Sequence, residues 1–408
     1  MKMTDLSQRN AQVLILKFFL SICVLLPTGS VWGVNVKFLF LFLLLGTTLL
    51  GKGKGIVKIV IGLLPPVVLI LIFSLITEFN GRYTLVSLDQ TKDLLVFFLM
   101  VTLGYALVAP EKRYEVIVKT IVRCLVLLGV AKILILLYAV LTGRGASFVV
   151  QGISAFFNTS LMTMESDDVV VSRINFMSDY LIPTVLYLSL REVLIKKTLW
   201  KEWGVIFILF SSLIISMSRF LWAAGFLCLL LALISNYKKY KSFLIICGMV
   251  SLAVFLLSLP SVQDLIEFRF LSKGVTESDL TRTLQYNGIV KHFIEYPLLG
   301  NGIGYYIPDL IRSHLSLYSY ELQIPALYMQ MGIVGASSII LIVLIILFSQ
   351  MKGLSLNLSI SYVVLVALWL SGGFFNPVII SSTGGVSFLL IYSIPSGFKY
   401  RSEEEVGV

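Results

Sequence analysis

The sequence predicts an all-α, polytopic integral membrane protein, and three observations carry that expectation. Of 408 residues, 58% are hydrophobic and only 13% charged, against about 45–50% and about 25% in soluble domains. Apolar runs of about 20 residues, the length that crosses a bilayer, recur along the chain. The short segments between them are rich in lysine and arginine, the pattern that orients membrane proteins.

Twelve spans are expected, centred near residues 20, 42, 67, 101, 128, 183, 210, 227, 250, 336, 364 and 385. The first apolar run, Val13 to Leu26, contains Lys17 and no small-residue cleavage site follows it, so it reads as a retained anchor. Pro65-Pro66 fall inside the third span, where two missing backbone donors predict a kink. Cys23, Cys124, Cys228 and Cys247 all lie in apolar segments without metal or disulfide spacing, which points to packing. Arg123 and Lys132 stand nine residues apart on the fifth span. That is about 900° of helical rotation, so they face opposite ways.

A net charge of +10 would suggest nucleic acid in a soluble chain, but here the cations follow topology and no nucleic-acid partner is expected. With the N-terminus cytoplasmic, eighteen fall inside and eleven outside, and every short cytoplasmic loop is positive. Both termini are then cytoplasmic. Fourteen of the inner cations are lysine, whereas seven of the outer ones are arginine. Arginine's planar fork grips phosphate oxygens in bidentate fashion. An arginine-weighted outer face therefore suits a phosphate-bearing ligand, unless it is drift in composition.

The whole chain, 1–408, reads as one membrane domain with two outer loops too long for simple connectors. The first, 142–175, carries Phe148, Val149, Ile153, Phe156 and Phe157, which suit an interfacial or re-entrant helix. Its Asp167-Asp168 pair reads as a solvated acidic turn rather than a metal site, since no third ligand has sensible spacing. The second loop, 260–323, is the largest polar stretch. Ser278-Asp279 suggests a helix N-cap, with the helix stopped by Pro297. The glycine-rich run Gly300-Asn301-Gly302-Ile303-Gly304 has no strand before it and reads as a flexible hinge, not a nucleotide fingerprint.

Chemistry-bearing residues gather at the outer boundary. Ser216-Met217-Ser218-Arg219 places an arginine between two closely spaced spans, where it either snorkels or meets an anion. The long loop holds Arg282, His292 and His314, then Tyr318-Ser319-Tyr320-Glu321 just before the tenth span. Beside lipid, Glu321 could have a raised pKa and serve as a base; otherwise it caps the span that follows.

The order of these features resembles the bacterial O-antigen polymerase and O-antigen ligase superfamily. The resemblance rests on the Ser218-Arg219 pair opening a span, Arg282 upstream of PLLGNGIG (Pro297 to Gly304), and YSYE (Tyr318 to Glu321) before GIVG (Gly332 to Gly335). It implies a GT-C-like glycosyltransferase architecture, about 12 transmembrane helices and a large extracytoplasmic loop. Ligases of this superfamily carry His-Asn eleven residues before the first glycine of the GxxG, where this chain has Glu321-Leu322. That departure favours the polymerase branch, O-antigen polymerase, in which a Tyr-Glu pair is common.

The resemblance further implies undecaprenyl-diphosphate-linked oligosaccharides as substrates, membrane lipid as surroundings and a chain-length regulator protein as a partner. It implies no cofactor and no metal, at the bacterial cytoplasmic (inner) membrane. By the same likeness Glu321 is the catalytic base, and Arg219, Arg282 and Arg173 bind diphosphate. Tyr318, Tyr320 and His314 are then the substrate contacts. An O-antigen ligase is the near alternative. A lipid-linked oligosaccharide flippase, the alternative of another class, fits poorly with a chain lacking two similar halves.

Overall fold

The computed structural model describes residues 3–26, 30–32, 34–50, 54–82, 84–143, 145–157, 174–195, 200–236, 273–313 and 316–406. Helix α1 (Met3–Leu25) leads through a small antiparallel hairpin, β1 (Ser30–Val31) and β2 (Val34–Asn35), into α2 (Val36–Leu50). Helices α3 (Lys54–Phe79) and α4 (Leu85–Leu107) follow. A short α5 (Pro110–Arg113) and a π turn (Tyr114–Val118) run into α6 (Lys119–Thr142), with α7 (Ala146–Phe157) next. Then come α8 (Ile182–Ile195), α9 (Trp200–Ile215), α10 (Arg219–Ser235) and α11 (Lys273–Glu295). Last are α12 (Gln323–Phe348), α13 (Leu356–Ser371) and α14 (Ser382–Val406).

The protein is therefore an all-helical, polytopic membrane protein. Five described segments are long and apolar enough to cross a bilayer: Gly55–Phe79, Leu85–Leu107, Pro110–Thr142, Gln323–Met351 and Leu356–Phe374. Asn10–Leu25, Val36–Leu50, Ala146–Phe156 and Arg219–Ser235 are shorter apolar helices. The span expected near residue 250 lies outside the described residues, as do Cys247 and Asp167-Asp168. Helix α3 continues as one helix through Pro65 and Pro66. In α12, by contrast, non-helical backbone interrupts the helix, at Gly332.

Packing centres on α4, which lies against α3 and α14. Phe97 of α4 stacks on Phe388 of α14, with centroids 4.9 Å apart, and Trp369 of α13 stacks on both, at 5.7 Å from Phe388 and 6.4 Å from Phe97. Such ring pairs add about 0.5–1.5 kcal/mol each beyond their burial. On the other flank, α8 packs against α9 and α10. Lys132, on the buried face of α6, pairs with Asp179 at 2.5 Å, with side chains 0% and 1% exposed. Arg123, nine residues earlier, is exposed, as opposite faces require.

The apolar stretch expected to be helical within 142–175 does form a helix, α7, packed on α6. Trp32 ties the hairpin to its end by donating its indole N–H to the Phe156 carbonyl at 2.9 Å.

Candidate active site

The site lies where α10, α11 and the loop entering α12 converge. Its first member is positioned by a break between two helices. Met217 takes a left-handed conformation (φ 45°), Ser218 extends, and its hydroxyl accepts from Leu221 N–H as the cap of α10. Arg219 is then the first residue of that helix. The positive end of the helix dipole disfavours a cation there and favours an anion. Arg219 takes an anion: its two terminal nitrogens donate to both Asp279 oxygens, at 2.7 and 3.3 Å.

Asp279 thus corrects the capping expectation. Helix α11 starts at Lys273, so Ser278-Asp279 lie inside it, and the Asp279 carboxylate turns to guanidinium groups instead of backbone N–H donors. The Arg219 hydrogen bond holds its carboxyl below the usual carboxylate range, with help from the nearby Arg282 charge. One turn on, Arg282 donates from Nη1 to Asp279 at 3.2 Å and from Nε to Glu321 Oε2 at 2.8 Å. Glu321 Oε1 lies 3.7 Å from Arg312 Nε. The result is a chain of alternating charge, Arg219–Asp279–Arg282–Glu321–Arg312.

Glu321 does not cap the following helix: α12 begins after Leu322 with no side-chain cap. Its backbone N–H instead donates to Gln285 Oε1 at 3.1 Å, one turn beyond Arg282. Farther along this face of α11, Ile289 packs with Ile307, Tyr320, Ala326 and Met329 in a small apolar cluster. That cluster fixes α11 against α12, and with it the distance between Arg282 and Glu321.

The glycine-rich run is not a flexible hinge. Residues 300–304 are largely buried, and Gly300, Gly302 and Gly304 all have positive φ. At Gly332 the α12 backbone leaves the helix (φ 63°, ψ −174°), and the groups released there pair with the loop. Asn301 and Gly302 N–H donate to the Met329 and Gln330 carbonyls at 3.0 and 2.8 Å. Ile333 and Val334 N–H donate to the Pro297 and Leu298 carbonyls at 2.8 and 3.1 Å. The break is satisfied bond for bond, as buried backbone requires.

Other partners come from far away in sequence. Buried Gln330 accepts from Gln90 of α4 and donates to the Tyr305 and Tyr318 carbonyls, both at 3.0 Å. Arg82 donates to Asn301 and lies over the Tyr296 ring, 4.4 Å from its centroid. Tyr318 donates its hydroxyl to Asp93 of α4, and burial beside that carboxylate pushes the phenol well above its ordinary range. Tyr320 is fully buried, and its oxygen accepts from Ile307 N–H at 2.6 Å. Burial pushes its phenol up to about 12. This hydroxyl braces the loop and is not turned to a sugar, as the sequence suggested. Arg173 and His314 lie outside the described residues.

The structure therefore brings together Arg219, Arg282 and Glu321. Sequence reasoning missed Asp279 as the shared counterion of the two arginines, Arg312 and Gln285 as partners of Glu321, and Asp93 as the partner of Tyr318. Of these, only the arginine bias of the outer face had pointed toward Arg312.

Residues 204–340 match the O-antigen ligase family model. The match takes in α9 to α11, the anchored loop and the broken part of α12, and so every member of the charge chain. It covers about a third of the chain; Lys37, Arg82, Gln90 and Asp93 fall outside it. No curated protein matches the chain.

Proposed function

We propose that the protein is a glycosyltransferase that joins undecaprenyl-diphosphate-linked oligosaccharide repeat units into a surface polysaccharide, as an O-antigen polymerase does. The observation that carries this reading is the Arg219–Asp279–Arg282–Glu321 chain within the segment similar to O-antigen ligases. It sets two phosphate-gripping forks beside one carboxylate of the base type.

A hydroxyl of the acceptor glycan attacks the anomeric carbon of the donor. The new glycosidic bond forms as the bond to diphosphate breaks, and undecaprenyl diphosphate leaves. Asp279 keeps both forks aligned beforehand. Its pairing is half-exposed, a class worth only about 0–1 kcal/mol, so an arriving diphosphate displaces it at little cost. Arg219, with the N–H groups opening α10, and Arg282 then neutralise the charge that grows on the leaving group. Arg173 is a further candidate for this task.

Glu321 takes the hydroxyl proton. Its Oε2 is anchored by Arg282, while Oε1 stands beyond hydrogen-bond distance of Arg312 and is the oxygen presented to the sugar. Tyr318 supports the acceptor side and His314 is a further substrate contact.

The reaction takes place on the extracytoplasmic face of the bacterial inner membrane, with both termini cytoplasmic and a chain-length regulator as partner. The ligase reading draws on the name of the matched family; Glu321 in the place of the ligase histidine favours the polymerase. Purified protein incubated with a lipid-linked repeat unit separates them. A ladder of longer lipid-linked chains supports polymerase, and transfer only to lipid A core supports ligase.

A further inference from the structure

At the bundle end that carries the anchored loop, α1, β2, α2, α4 and α14 line a half-open cavity of about 190 Å³. It lies outside the segment matched by the family model and contains none of the residues of the charge chain. Its walls include a buried cation: Lys37, on the second residue of α2, is 7% exposed. A lysine inside a membrane bundle is costly to keep and is by default a sign of function. Lys37 donates to Ser382 Oγ of α14 at 2.8 Å and interacts electrostatically with Asp93, which also lines the cavity.

Asp93 connects this cavity to the proposed site. Its Oδ2 accepts from Tyr318, three residues before Glu321, while its Oδ1 makes no hydrogen bond among the described residues. Phe19 and Phe38 supply aromatic surface on the same walls.

The lining selects its occupant. Ligand sites for drug-sized molecules span about 300–1,000 Å³, so this half-open cavity holds one small unit of a ligand whose remainder lies outside it. Lys92, the other cation on the lining, is held by Asp89 at 2.7 Å, so a lone phosphate would meet Lys37 with the Asp93 carboxylate beside it. A sugar ring suits the set: it offers hydroxyls that both donate and accept, to Asp93 and Lys37, and an apolar face for the phenylalanines.

We infer that this cavity binds one sugar of the accepting glycan next to the one that reacts, with Lys37 and Asp93 reading its hydroxyls and Tyr318 bridging toward Glu321. The assignment rests on the glycosyltransferase reading above and adds to it the acceptor subsite.

The test uses full-length protein in lipid nanodiscs and two probes. One is the free repeat-unit oligosaccharide released from the host's lipid-linked pool, without lipid or diphosphate; the other is undecaprenyl diphosphate. Lys37→Met and Asp93→Asn should each weaken oligosaccharide binding about tenfold or more, the loss of one charge-assisted hydrogen bond. Binding of undecaprenyl diphosphate should stay within about twofold of the parent. Unchanged oligosaccharide affinity in a folded Lys37→Met variant overturns the subsite, as does weakening of the diphosphate probe alone. If Asp93→Asn fails to fold for want of its Tyr318 contact, Lys37→Met and Ser382→Ala still decide. A loss of the charge-chain reading shows separately, as Arg219→Ala and Arg282→Ala variants that bind undecaprenyl diphosphate normally.

Discussion

Gly300 and Gly332 meet backbone to backbone. A Cβ on Gly300 would stand 2.4 Å from the Gly332 nitrogen, and one on Gly332 would stand 2.6 Å from the Gly300 nitrogen. Both have positive φ, 75° and 63°. Neither position has room for a side chain, and the left-handed backbone costs any other residue about 1–2 kcal/mol before the clash is counted. This contact seats the loop in the broken helix and thereby holds Glu321 at the end of α12.

Gly300→Ala and Gly332→Ala should each abolish polymer formation and lower thermal stability. Gly46→Ala is the control, because a Cβ there meets nothing within 4 Å and alanine favours the helix by about 0.5–1 kcal/mol. Normal melting of both loop variants in detergent would show that the loop is not seated as described.

The arginines separate geometry from charge. Arg219→Ala and Arg282→Ala should reduce polymer formation strongly while protein stays in the membrane. Lysine at either position should restore only part of it, since an ammonium cannot make the two parallel bonds that Arg219 makes to Asp279. Gel ladders from cells expressing each variant give the comparison, and full activity of both lysine variants would mean that point charge suffices.

Lys132 and Asp179 give a prediction about folding alone. Removing one partner of a buried pair costs about 3–5 kcal/mol, because the other charge stays buried. Lys132→Met should therefore melt well below the parent, and the double variant Lys132→Met/Asp179→Asn should recover part of the loss. Equal melting of the single variant and the parent would mean that the pair bears no load.

Asp279→Asn removes the carboxylate that, in the proposed function, competes with diphosphate for the two arginines. The substitution should tighten binding of undecaprenyl diphosphate several-fold and slow its release. Weaker binding would show that aligning the forks matters more than freeing them.

The bundle was legible because lipid imposes its own length and composition on each span, so α3, α4, α6, α12 and α13 stand near their expected centres. Arg219, Arg282 and Glu321 were legible because charges at a membrane boundary need a reason. The anchored loop was not. Glycines that serve a hinge and glycines that admit a neighbouring backbone look alike in sequence, and only Gly332, 32 residues from Gly300, tells them apart. The Gln90–Gln330 and Asp93–Tyr318 contacts span more than 220 residues and leave no periodic trace. Ser278-Asp279 misled because an aspartate that caps a helix and one that binds arginines have the same local signature.

The central claim is that Glu321 accepts the proton of the attacking hydroxyl. Glu321→Gln keeps the size of the side chain and an oxygen for Arg282 but removes the proton-accepting charge. With purified variant and a defined lipid-linked repeat unit, the rate of chain extension should fall about 10²–10⁴-fold, the usual worth of general-base catalysis, while undecaprenyl diphosphate still binds. A stably folded Glu321→Gln variant that extends chains at the parent rate would contradict the claim and remove Glu321 from the chemistry.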